Sequence, residues 1–136
     1  MKKDIQPPKV EKVSVAVAEE KNELGAKVLN VYLINESQEK LEGVLVSSKG
    51  YGRNVETEQK VETSMLRHFL DVVEPKSYKK IEPIMEDVLG LNNEYWVSYF
   101  LNGKMYDKKF VFVAESIQKV NFIKLPVIAK EGVLIR

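Results

Sequence analysis

The chain has 136 residues, no Cys, one His, and 21 basic against 20 acidic side chains. This composition excludes a disulfide framework, a thiolate metal site and a thiol nucleophile. The charge is even along the chain, with 11 basic and 11 acidic residues through His68, so no segment carries the positive excess that phosphate-backbone binding needs.

A chain of this length buries roughly 70% of its unfolded surface, enough for one independent core. Residues 1–9 are polar, contain Pro7-Pro8 and read as a flexible tail without the apolar stretch of a signal peptide. Residues 10–136 read as one domain. No window approaches the eighteen or more apolar residues of a membrane span, and a cytoplasmic location is expected. Val13, Val15 and Val17 alternate with Ser14, Ala16 and Ala18, as in a strand with one buried face. A second β-rich run over 28–34 ends in a polar turn over 35–40. Asn35-Glu36-Ser37 matches a glycosylation sequon, read as chance in the absence of a secretory signal. The run over 41–47 is interrupted at Gly50-Tyr51-Gly52, and 53–60 reads as an edge strand or loop.

Residues 63–73 fit two patterns. Met65, Leu66, Phe69, Leu70 and Val73 make a helical stripe, whereas Val72-Val73 and the following Pro75 suit a strand. Residues 78–84 alternate again until Pro83, which belongs at a strand end or edge because it cannot donate to a ladder. Residues 85–89 suit one helical turn stopped by Gly90. Two β-rich runs, 94–101 and 104–113, are then separated by Asn102-Gly103, the preferred pair for a type I′ hairpin turn. Short runs follow at 117–125 and 132–135.

The 19 Val and 8 Ile have stiff χ1 rotamers suited to a pleated surface. With short runs every eight to twelve residues, they predict an all-β, antiparallel β-sandwich, immunoglobulin-like, of seven to nine short strands with at most one short helix.

A two-residue turn sets register. Tyr99 should face Tyr106, Val97 Lys108 and Tyr95 Phe110 on one side, which continues through Leu101 and Phe112 and is taken as the core side. On the other, Phe100 should face Met105, Ser98 Asp107 and Trp96 Lys109. That mixed side is either a solvated face, with Lys109 lying over Trp96, or a contact patch, since Trp and Met are enriched where proteins meet. Trp96, Phe100, Met105 and Lys109 are therefore the candidate partner-binding residues. If the sides are reversed, Tyr95, Tyr99 and Tyr106 form the patch.

No constellation points to catalysis. Ser64, His68 and Asp71 cannot share one strand face, and triads draw their members from separate elements; a half-buried or surface His68 is expected. Glu82, Glu86, Asp87 and Glu94 are the densest carboxylates but lack the ordered loop of a calcium site, so neither metal nor cofactor is expected. Lys49-Gly50-Tyr51-Gly52-Arg53 fits neither a dinucleotide fingerprint nor a P-loop. It reads as a loop whose glycines supply positive φ, with Lys49, Tyr51 and Arg53 as a second-choice contact. Lys79-Lys80 and Lys108-Lys109 read as edge charges that discourage strand pairing.

The segments 31–35, 41–52, 64–69, 80–84, 90–98 and 106–110 together resemble a group of small bacterial all-β proteins without established activity. Some of that group carry the label phenylalanyl-tRNA synthetase α-subunit. A synthetase catalytic domain needs long flanking helices and ATP-binding arginines; here the arginines are Arg53, Arg67 and Arg136, none in such a motif. The expectation is a non-enzymatic module that binds a protein partner, with self-association open. The alternatives are an RNA- or tRNA-associated protein using Lys49, Tyr51, Arg53 and Lys79-Lys80 on one face, or a small-ligand binder with a dispersed site.

Overall fold

The computed structural model describes residues 8–53 and 56–136; most of the expected tail, residues 1–7, lies outside them, as do residues 54–55. The described residues form ten strands: β1 Val13–Lys21, β2 Lys27–Asn35, β3 Leu41–Arg53, β4 Lys60–Glu62, β5 Leu66–Val73, β6 Ser77–Ile84, β7 Asn92–Leu101, β8 Lys104–Phe112, β9 Ile123–Lys124 and β10 Glu131–Ile135. The two strands of two and three residues are too short to leave an alternation, which takes the number past the seven to nine expected. Instead of a helix there are two single 3₁₀ turns, Glu86–Val88 and Lys119–Asn121. The ambiguous stretch 63–73 yields the strand β5.

All pairing is antiparallel. The first sheet runs β6-β2-β1-β10-β9; the second runs β4-β3-β7-β8, with β5 alongside β3 on the same edge as β4. Pro83 sits in the edge strand β6, where a missing donor costs no ladder bond on the outer side. The two Lys pairs also fall on edge strands, β6 and β8.

Between the sheets lies the main core. Val13, Val15, Val17, Val31 and Leu33 of the first sheet meet Val44, Val46, Tyr95, Val97, Tyr99, Phe110 and Phe112 of the second. The outer face of the first sheet is covered too. Ala16, Ala18, Tyr32 and Ile34 pack under Leu125 and Ile128, from the connection between β9 and β10. Strand β1 thus buries both faces, and Ser14, Ala16 and Ala18 are inside rather than solvated. Period-two alternation could not reveal this, because small residues satisfy a covered face and an open one equally.

Asn102 and Gly103 both have positive φ, 51° and 78°, and the hairpin register matches every expected pair. The Lys49–Arg53 segment differs from its expected loop: it is the end of the thirteen-residue β3. Its glycines do not have positive φ. A Cβ on Gly52 would stand 3.1 Å from Leu91 Cδ2, and one on Gly50 3.3 Å from Thr63 Cγ2. These glycines make room for side chains closing the end of the sandwich.

Candidate docking face and an inter-sheet carboxylate

Trp96, Phe100, Met105 and Lys109 lie on the outer side of the second sheet, opposite the core side carrying Tyr95, Val97, Tyr99 and Phe110. Trp96, Phe100 and Met105 are 45%, 46% and 56% exposed. Lys109 Nζ stands 5.1 Å from the centre of the Trp96 ring and 3.7 Å from Glu94 Oε1. The Phe100 ring lies over Gly43, whose Cβ position is 3.4 Å from Phe100 Cδ2.

Two further apolar residues extend this face. Leu45 of β3 pairs with Ser98 on one side and Phe69 of β5 on the other, and they are 38% and 67% exposed. The result is an apolar band across four strands, interrupted by Ser47 and Ser98. Sequence reasoning missed Phe69 because Met65, Leu66, Phe69 and Leu70 also fit a helix. The available signal was the alternation of Arg67 and Phe69, outward, with His68 and Leu70, inward.

Lys49, Tyr51 and Arg53 alternate along the same face, so first- and second-choice residues share one surface. Lys49 Nζ is 3.5 Å from Glu62 Oε1 and 5.8 Å from the Tyr51 ring centre. Lys79-Lys80 is not brought to them: it lies on β6, in the other sheet, with Lys79 Nζ donating to the Leu70 carbonyl. The residues named for RNA contact are therefore not gathered on one face.

The densest polar contact is elsewhere. On β6, Ile81 is an extra residue between the pairs Val31–Glu82 and Tyr32–Lys80, and such a bulge re-aims neighbouring side chains. Ile81 enters the core, while the Glu82 carboxylate points between the sheets. Its Oε1 accepts from Ser48 Oγ and His68 Nε2, both at 2.7 Å, and its Oε2 from Tyr95 OH at 3.0 Å. Burial and then the neighbouring Glu82 push the Tyr95 phenol well above its ordinary range. A cleft of about 360 Å³ opens beside this cluster, lined also by Thr63, Ser64 and Asp87. Ser48 and His68 bond the same carboxylate oxygen, so no serine–histidine bond of the kind that activates a nucleophile is formed by this pair.

The other expected carboxylates are dispersed. Glu86 and Asp87 are exposed on a 3₁₀ turn, and Glu94 lies on the outer face of the second sheet between Lys49 and Lys109. Among the described residues no three His, Asp or Glu are grouped to hold a metal ion. Asp71 is exposed at a β5 bulge with φ 62°. The sequon residue Asn35 is fully buried, its amide donating to Glu39, Val73 and Glu74 carbonyls. A larger groove of about 1090 Å³ lies at the β1–β2 hairpin end, floored by Leu29, Ile84, Ile117 and Phe122 and rimmed by charges of both signs.

No helix among the described residues is long and apolar enough to cross a membrane. Comparisons with family models, curated proteins and solved structures give no match, so no relative supplies an activity for this arrangement.

Proposed function

We propose that this chain is a cytoplasmic, non-enzymatic protein-binding module whose docking face is the outer side of the second sheet. One observation carries the reading. The chain covers the outer face of its first sheet with Leu125 and Ile128, yet leaves Leu45, Phe69, Trp96, Phe100 and Met105 open on the second. Exposed apolar residues gathered on one sheet face mark interaction sites, and Trp is a frequent anchor in them.

An immunoglobulin-like topology belongs to the same proposal. Strands β6-β2-β1 stand as E-B-A and β8-β7-β3 as G-F-C, with β5 beside C and β10-β9 added past A. Membership of the small bacterial β-protein group rests on the segments named above and adds no activity.

Replacing Trp96 and Phe100 together by Ser tests the function. Both are about half exposed, so the variant should lose about 2–4 kcal/mol of stability but stay folded while losing partner capture. Trp96 is the sole Trp, and its emission should shift to shorter wavelength as the face becomes occupied. A variant that unfolds, or binds as before, removes the reading.

A further inference from the structure

We infer that the occupant of this face is a second copy of the chain, packed with its strands running opposite to the first; this rests on the docking reading above. A two-fold interface must be self-complementary, each patch meeting its own mirror in sequence. The face has that property along its strands. On β8, Lys109 lies level with Trp96 and Asp107 with Ser98, the next outward position. On β3, Lys49 lies level with Glu94 and Glu42 with Phe100. Lys49 and Lys109 thus lie toward one end of the face, where they flank Glu94 and pair with Glu62 and Glu94 of their own chain, and Glu42 and Asp107 lie toward the other.

A two-fold axis lying across the strands, between the Trp96 and Ser98 levels, exchanges those ends. It sets Lys109 of each copy opposite Asp107 of the other, and Lys49 opposite Glu42. The same operation places Arg67 against Phe69, Met105 against Val111, Trp96 against Ser98 and Phe100 against Glu94, from their pairing levels on β5, β7 and β8. Facing sheets pack about 10 Å apart with strands within about 30° of alignment, within reach of paired lysine and carboxylate side chains. The first sheet offers no equivalent surface, because Leu125 and Ile128 already lie on it.

The experiment is sedimentation velocity on the full chain over a concentration series. The wild type should be dimeric, and Lys109→Asp and Asp107→Lys should each weaken the dimer at least about tenfold by setting like charges opposite each other. Mixing those two variants should restore it, because both contacts between positions 107 and 109 then join opposite charges. Circular dichroism of each variant separates weakened pairing from unfolding, and recovery on mixing requires both to be folded. A wild type that stays monomeric at the highest concentration reached, or a mixture no tighter than the single variants, overturns the inference. If the monomer still loses a different captured protein on Trp96→Ser and Phe100→Ser substitution, self-pairing falls and the docking reading stands. If it captures nothing, both fall.

Discussion

His68 Nε2 lies 2.7 Å from Glu82 Oε1, and this contact joins β5 of one sheet to β6 of the other. The connection between those strands crosses from sheet to sheet over only three residues, and the pair joins them again five residues along each strand, toward the other end of the sandwich. A carboxylate only accepts, so Nε2 carries the proton in this bond. Ser48 and Tyr95 complete the shell from β3 and β7, and one acidic residue collects three strands of the opposite sheet.

Removing that acceptor should therefore weaken the whole sandwich. Glu82→Ala leaves three donors unmatched and is expected to lower stability by about 2–3 kcal/mol. Tyr95→Phe should cost about 1 kcal/mol. Because they share one bond, the double variant should cost less than the sum by roughly 1 kcal/mol. Urea unfolding of the four proteins measures this; costs that simply add would show that Tyr95 and Glu82 act independently.

Glu20 makes a second such shell on the outer side of the first sheet, accepting from Tyr32 OH at 2.6 Å and Asn30 Nδ2 at 2.8 Å, with Lys130 Nζ 3.6 Å away. Partial burial pushes its carboxyl up, but the Tyr32 and Asn30 bonds and the Lys130 charge outweigh it and hold the group below the ordinary range. A depressed folded-state value stabilises above the unfolded pKa of about 4.3 and loses that contribution as pH falls through the folded value. The stability gap between wild type and Glu20→Gln should thus be widest near neutrality and narrow in acid. Urea midpoints across that range measure it; a gap independent of pH would contradict the assignment.

The hairpin was legible, since Asn102-Gly103 strongly favours a two-residue type I′ turn and every cross-strand pair follows from it. Which residues share the Trp96 side followed from the same register, but which side is buried did not, because both carry aromatic residues. Phe69 and Leu45 were not legible, because β5 and β3 are joined by long-range pairing with register shifts at Gly43 and Leu70. Burial of Ala16 and Ala18 depends on a cover arriving more than a hundred residues later. Glu82 was visible only as one of 20 acidic residues; the bulge at Ile81 that aims it between the sheets leaves no local pattern.

Three tyrosines should resist alkali until the fold opens. Burial, followed by Glu82 for Tyr95 and Glu20 for Tyr32, raises both phenols, and burial with Tyr106 beside it pushes Tyr99 up to about 12. A raised folded value protects the neutral phenol, so this stability is complete below the unfolded pKa of about 10 and drains away as pH climbs above it. After a rapid jump to alkali, tyrosinate from these residues should appear only with the slow loss of circular dichroism. Tyr95→Phe should remove part of that slow absorbance change. Complete ionisation while the dichroism is still native would count against their burial.

Gly132 of β10 is where the first sheet tolerates least. It pairs with Ala18 of β1, and a Cβ there would fall 1.9 Å from the Val17 carbonyl oxygen and 3.0 Å from Ala18 Cα. These are backbone atoms of a strand buried on both faces, so they cannot turn aside as a side-chain end would. Gly132→Ala should force β10 away from β1, loosening Val133 and the cover formed by Leu125 and Ile128, at a cost of about 3 kcal/mol or more. Gly25→Ala is the matched control. Gly25 has φ 80° but nothing within 4 Å of its Cβ position, so it carries only the conformational penalty of about 1 kcal/mol. Thermal unfolding should rank Gly132→Ala well below Gly25→Ala, with amide exchange in β10 accelerated only in the former. Equal losses would mean that β10 does not approach β1 as closely as described.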